Sequence, residues 1–271
     1  MDEARLGDAA MYYTYNTRTK LYKMMYWILP VVSLILLCLL YLLAVASNPI
    51  ILPSPELIIQ RFISMVSKPI KGVSIWGHIG ASLIRVLAGA FIAWVFGILF
   101  GIMIGWNKTC DALFGSVFLM IRPIPPIAWI PLIVMSFGIG EFPKILLVFI
   151  GCFTTMVTNT YSGVKMVNKE IVNVGLIFGA NQSQILRDIV IPTALPSIFT
   201  GIRSTIDNGW KIVLAAEMMG AATGIGALIT RGWNELDMAM VLVCIIFIAL
   251  TGAALSFLIQ KIERVLTPWD R

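Results

Sequence analysis

The chain has 271 residues, of which 59% are hydrophobic and only 13% charged, with a mean hydropathy of +0.90 and a formal net charge of +6. This composition excludes an ordinary soluble domain and points to a polytopic membrane protein. The positive balance sits beside apolar runs, where basic residues meet anionic lipid, so it argues for a membrane surface and not for nucleic acid.

A hydrocarbon core about 30 Å thick needs about 20 apolar residues per helix. Six runs qualify, at 26–46, 82–106, 112–137, 145–162, 197–219 and 238–260. They predict a single transmembrane domain over 26–265, with a segment 1–25 before it and a tail 266–271 after it. An even number of spans puts both termini on one side. Basic residues collect there, Arg5, Arg18, Lys20, Lys23, Lys165, Lys169 and Arg187 among them, against Arg61, Lys68, Lys71, Lys144 and Arg231 on the other. The positive-inside rule makes that side cytoplasmic. Ala44-Val45-Ala46 resembles a signal-peptide cleavage site, but the run before it is longer than such a segment requires.

After the first run, Ser54 and Pro55 offer an N-cap and an N1 proline, so a short amphipathic helix is expected to start there. It is either interface packing or part of a docking surface for an external protein. The second run carries Gly89, Ala93, Gly97, Gly101 and Gly105 at a spacing of four, a ladder that lets another backbone approach closely. Whether the neighbour lies in the same chain or a second copy is open.

RPIPPIAWIP (122–131) interrupts the third run, and its prolines, Pro125 and Pro126 among them, delete backbone donors. A broken helix at membrane depth must be covered by protein or face a water-filled cavity. Arg122 beside the break either faces that cavity or snorkels to the interface. In the fourth run Gly151, Thr154, Thr155, Thr158, Asn159 and Ser162 fall on one helical face. That face either lines a pathway or bonds neighbouring helices. In the fifth run Arg203, Asp207 and Lys211 stand four residues apart, forming either a self-neutralising ladder or an attractor for an anion. Glu217, further along, is a pathway candidate or a partner within the bundle. The glycine-rich stretch 220–237 is too short to span and is expected to dip in or lie flat.

Cys38, Cys110, Cys152 and Cys244 form no C-x-x-C pair and read as packing residues. His78 is the only histidine, which excludes a His-based dyad or a His-rich metal site, and it reads as interfacial. No phosphate-cradling G-x-x-x-x-G-K-[ST] motif and no G-x-S-x-G motif is present. Uphill transport would therefore draw on a partner or an ion gradient, leaving an ion-coupled transporter or channel as the alternative to an ATP-driven system.

The segment VGLIFGANQSQILRDIVIPTALP (174–196) supplies a partner. It resembles the cytoplasmic signature loop of binding-protein-dependent ABC transporter permeases, a pattern of Glu-Ala-Ala, a short gap, Gly, a longer gap and Ile-x-Leu-Pro. Asn173-Val174-Gly175, Gly179 and Ile189-Val190-Ile191-Pro192 keep its spacing, with Asn173 where the pattern has Glu and Ile191 where it has Leu. LPSP (52–55), RPIPPIAWIP, FGIGEFPKI (137–145), NTYSGV (159–164) and AEMMGAATGIG (216–226) look like the nitrate, sulfonate, taurine and bicarbonate branch of that family.

The resemblance implies an all-α, six-helix type I importer (MetI-like) permease in a prokaryotic inner membrane. It would be assembled from two permease copies, cytoplasmic ATPase subunits and an external solute-binding protein. ATP and Mg would belong to the ATPase chains, with no cofactor, metal or catalysis on this one. The solute would be a small anion such as nitrate, a sulfonate, taurine or bicarbonate. Within a coupling loop over 163–194, Asn173, Gly175, Gly179, Ala180, Ile185, Leu186, Arg187, Ile189 and Pro192 would form the ATPase-coupling segment. Gly179 would make a tight turn or close approach, Ile185 and Leu186 an apolar ridge, and Arg187 a charge.

Overall fold

The structure is a computed structural model that describes Met25, residues 28–47 and residues 52–266, with side chains as far as Glu263. The expected end segments 1–25 and 266–271 lie outside the described residues apart from Met25 and Leu266. The chain divides into two units, residues 1–57 and 58–271. In the first, α1 (Ile28–Ser47) is long and apolar enough to cross a membrane, and Tyr41 Oη donates to the Pro53 carbonyl at 2.6 Å. Helix α2 (Pro55–Ser67) starts at the proline foreseen, and the Leu57 N–H reaches Ser54 Oγ at 3.4 Å.

The second unit continues with α3 (Ile75–Trp106), α4 (Lys108–Ile121), α5 (Pro126–Phe137), α6 (Glu141–Lys165), α7 (Lys169–Ile177), α8 (Gln182–Met218), α9 (Ile225–Asn234) and α10 (Met238–Leu266). Helices α1, α3, α6, α8 and α10 are each long and apolar enough to cross, and α4 with α5, bent by 87°, are together long and apolar enough to count as a sixth. The bend follows from Pro123, Pro125 and Pro126, which have no N–H for an α-helical ladder. The chain turns instead through Ile124 N–H to Ile121 O at 3.0 Å and Ala128 N–H to Pro125 O at 2.9 Å.

The spans run beyond the apolar windows because a helix persists through its polar ends. Helix α3 begins at Ile75, capped by Ser74, whose Oγ accepts from the Gly77 N–H at 3.2 Å. Helix α6 covers Glu141–Lys165, where the apolar window is 145–162. The largest difference is at α8, which starts at Gln182, inside the stretch read as loop. A π-turn over Leu186–Val190 lies just before Pro192 and absorbs the donor that the proline lacks.

Helix α6 is the centre of this unit, and the glycine ladder of α3 packs on it within the same chain. A Cβ placed on Gly89, Gly97, Gly101 or Gly105 would stand 2.7 to 2.9 Å from Val148, Met156, Thr160 or Val164 respectively. The residue offset is the same at all four contacts, so the two helices run parallel in strict register. On the other flank Gly163 meets Ser197 and Gly201 meets Asn159, which sets α8 antiparallel to α6. Leu147, Val148, Cys152, Met156 and Val157 of α6 are buried between them. Helix α2 is pinned to α10 by a Phe62–Phe247 ring stack at 5.1 Å. An Arg61–Asp237 ion pair at 2.7 Å ties it to the start of the same helix. Of the four cysteines, Cys152 and Cys244 are buried packing residues as expected, whereas Cys38 is exposed and Cys110 half-buried.

Candidate functional site

The polar face of α6 borders a groove. Its widest part, about 390 Å³, is lined by Arg122, Thr154, Thr155, Thr158, Asn159, Ser204 and Asn208. Thr154, Thr155 and Asn208 are shared with an adjoining cleft of about 250 Å³ that reaches Pro125, Pro126, Gly151 and Lys211. In the other direction Arg122 and Thr158 lead into a smaller space of about 100 Å³ beside Gly115, Tyr161 and Ser162. The bend between α4 and α5 thus contributes Arg122, Pro125 and Pro126 to the groove. Gly151 makes room for it, since a Cβ there would collide with Pro126 and Ile212.

Most of the polar groups on this face bond to their own helix. Thr154 Oγ1 and Thr155 Oγ1 donate to the Gly151 carbonyl at 3.0 and 3.2 Å, Thr158 Oγ1 to Thr154 O at 2.8 Å, and Asn159 Nδ2 to Thr155 O at 2.8 Å. One bond crosses to α8, from Asn208 Nδ2 to Thr155 Oγ1 at 3.0 Å. The hydroxyl donors are spent on the backbone, so their oxygens face the groove as acceptors. Its charged donors are Arg122 and Lys211, both exposed and neither in an ion pair among the described residues.

The expected ladder of Arg203, Asp207 and Lys211 does not form. All three are exposed on one face of α8, but no ion pair joins them among the described residues. Asp207 accepts instead from Ser256 Oγ of α10 at 2.7 Å. Lys211 turns to the groove, and Arg203 lines none of its three parts.

Glu217 also leaves the pathway set. It is fully buried and belongs to an ion cluster at the end of the bundle away from α7. Arg85, 3% exposed, spends all five of its N–H donors there. Nε and Nη2 hold Glu141 at 2.5 and 2.8 Å, while Nη1 reaches Glu217 Oε1 at 2.6 Å and the Thr223 carbonyl at 2.8 Å. The remaining Nη2 donor reaches Thr223 Oγ1 at 3.1 Å. Glu217 further accepts from Ser82 Oγ at 2.8 Å and from the Gly226 N–H at 2.9 Å. Ser82 Oγ in turn accepts from the Ile225 N–H at 2.9 Å. Lys144, read as a loop charge, is buried and holds Glu141 at 2.9 Å. His78 is 2% exposed, and its Nδ1 accepts from the Gly224 N–H at 3.1 Å. The AEMMGAATGIG motif is therefore a wrap of backbone around a carboxylate. Gly224, at φ +121°, has no room for a Cβ against Glu217.

Neither Arg85 nor Asn208 stood out in the sequence, though each carried a local signal. His78, Ser82 and Arg85 fall at i, i+4 and i+7, as do Ser204, Asn208 and Lys211, so each trio marks a polar helical face.

At the opposite end, α7 leads into a turn and then α8. Gly179 has φ +83°, its N–H bonds to Leu176 O, and the Ala180 N–H bonds to Gly175 O, each at 3.0 Å. Open space surrounds its Cβ position, so Gly179 serves the turn and not a close approach. Asn181 and Gln184 then form a capping box that restarts the helix. Ile185 is fully buried, packed with Val164, Val190 and Ala194, and cannot belong to an exposed ridge. Gly175 packs against Ile189, Leu186 is half-buried, and Asn173 and Arg187 are exposed. The apolar surface of this segment lies elsewhere, on Val174, Ile177 and Phe178, the last two 82% and 86% exposed.

Residues 97–269 match the family described as binding-protein-dependent transport system inner membrane component. The chain is 33% identical over 223 residues to the taurine transport system permease protein TauC of Escherichia coli (strain K12), covering 82% of this chain and 81% of that protein. It is 30% identical over 249 residues to the nitrate import permease protein NrtB of Synechocystis sp., covering 89% and 90%. Among solved structures, a chain of the inward-facing MetNI methionine ABC transporter aligns with a TM-score of 0.59 at 19% identity, covering 69% of this chain and 93% of that one. This last similarity is one of fold.

Proposed function

This chain belongs to the binding-protein-dependent transport system inner membrane component family and is a permease subunit of an ABC importer, and we propose that the groove along α6 is its share of the solute path. The observation that carries this reading is a groove, polar in its widest part, that runs from Lys211 past Thr155 to Arg122. Lipid tails cannot satisfy such a surface. A second copy closing over it would leave a water-filled channel.

The solute we propose is a small anion, delivered by an external binding protein. Among the described residues Arg122 and Lys211 supply positive charge with no carboxylate in ion-pair contact, and the relatives named above are taurine and nitrate permeases. Energy would come from a cytoplasmic ATPase holding ATP and Mg, gripping α7 and the turn after it. Val174, Ile177 and Phe178 replace Ile185 as the contact face, with Asn173 and Arg187 at its edge. The termini would then share the cytoplasmic side with α7. Closure of the ATPase pair would move that segment and rock α6 and α8 between two openings.

The test is uptake into liposomes holding the permease, its ATPase and its binding protein, with ATP enclosed and labelled taurine, nitrate, a sulfonate and bicarbonate offered in turn. ATP-dependent uptake of one anion should fall about tenfold or more in Arg122→Gln and Lys211→Met, with ATPase capture unchanged. Wild-type uptake rates in both variants would remove the anion reading.

A further inference from the structure

Beyond the groove, α6 and α8 continue towards the ion cluster, and the stretch between is apolar. Ile130, Ile133, Leu147 and Ala216 are buried there and leave a space of about 20 Å³, too small for a solute. The order along α6 is therefore ion cluster, apolar plug, polar groove and finally the segment leading to α7.

We propose that the Arg85–Glu217–Glu141 cluster is the bolt that holds that end of the groove shut, with Glu217 as a positioning residue for transport. The proposal rests on the groove being the solute path. Glu217 closes the last turn of α8, Ser82 and Arg85 lie on α3, Glu141 opens α6, and Thr223 to Gly226 lead into α9. Two carboxylates and one guanidinium thus tie together α3, the start of α6, the end of α8 and the segment leading into α9. Every donor of Arg85 is used, so a partial opening would strand a charge out of water. The cluster opens as a unit or stays closed, which gives this end two discrete states. Glu141 is its exposed charge, with 61% of the side chain accessible, against 3% for Arg85 and 0% for Glu217. Water or a docked partner reaches the bolt there first.

The experiment places a cysteine reporter in the groove, Thr154→Cys, with Cys38 and Cys110 changed to Ser. The complex of permease and ATPase is labelled with a membrane-impermeant maleimide in vesicles of either orientation. Label should enter the resting complex from the α7 side alone. Glu217→Gln and Glu141→Gln should each raise labelling from the Glu141 side about fivefold or more, and raise ATP hydrolysis in the absence of binding protein. Unchanged labelling in Glu141→Gln at wild-type abundance overturns the proposal, whether or not Glu217→Gln accumulates. So does a loss of thermal stability in both variants without altered labelling, which is what a mere brace would give. Failure of the solute-path reading shows separately, as uptake that survives complete modification of the reporter.

Discussion

Gly101 of α3 lies so close to Thr160 of α6 that a Cβ added to it would stand 2.7 Å from the Thr160 Cβ. The obstacle is a β-carbon and not the end of a flexible side chain, so the helices themselves would have to move apart. Gly101→Leu is expected to cost about 1 to 3 kcal/mol, seen as lower abundance and earlier thermal unfolding in detergent. Gly80, in the same helix, has nothing within 4 Å of its Cβ position. Gly80→Ala should be neutral or gain up to about 1 kcal/mol in helix propensity. Equal losses in both would show that the ladder is not what holds α3 to α6.

At Gly179 the constraint is conformation and not space. A non-glycine residue held at φ +83° costs about 1 to 2 kcal/mol, and asparagine tolerates that region better than a β-branched residue. Gly179→Val should therefore weaken capture of the ATPase on purified membranes, while Gly179→Asn keeps most of it. Identical capture in the two variants would contradict a conformational role.

Ile185 and Phe178 are both apolar residues of the coupling segment, but one is fully buried and the other 86% exposed. Ile185→Asp should lower the amount of folded permease, because a charge would enter a closed cluster. Phe178→Asp should leave abundance unchanged and reduce ATPase co-purification. Co-purification of the ATPase at wild-type level with Phe178→Asp would take that residue off the contact face.

Gly224 tests the wrap around the carboxylate. Its Cβ would fall within 2.5 Å of Glu217 Oε2, and its φ is +121°. Gly224→Ala should disturb the cluster about as strongly as Arg85→Met, which leaves a buried carboxylate unpaired at about 3 to 5 kcal/mol. Thermal unfolding of the two purified variants in detergent compares them directly. A Gly224→Ala protein as stable as the wild type would mean that this segment adapts freely.

Much of the groove was legible because it is written along single helices. The polar face from Gly151 to Ser162 follows from helical period alone, and the break at Pro123, Pro125 and Pro126 follows from missing donors. The same reasoning misled at Arg203, Asp207 and Lys211, where a shared face does not oblige neighbours to pair. Asp207 took a hydroxyl on α10 instead. It misled again at Ile185, since apolarity does not say whether a residue points into the bundle or away from it.

The sequence by itself determined the membrane class, the proline break and the polar face of α6, because each depends on residues within a few turns of one another. Only the tertiary structure decided that the glycine ladder meets α6 of the same chain and that Ile185 faces inward. It also decided that Arg85 finds Glu217, 132 positions away. Those contacts depend on which helix faces come together in space. Helical period fixes a face on its own helix and is silent about the neighbour it meets.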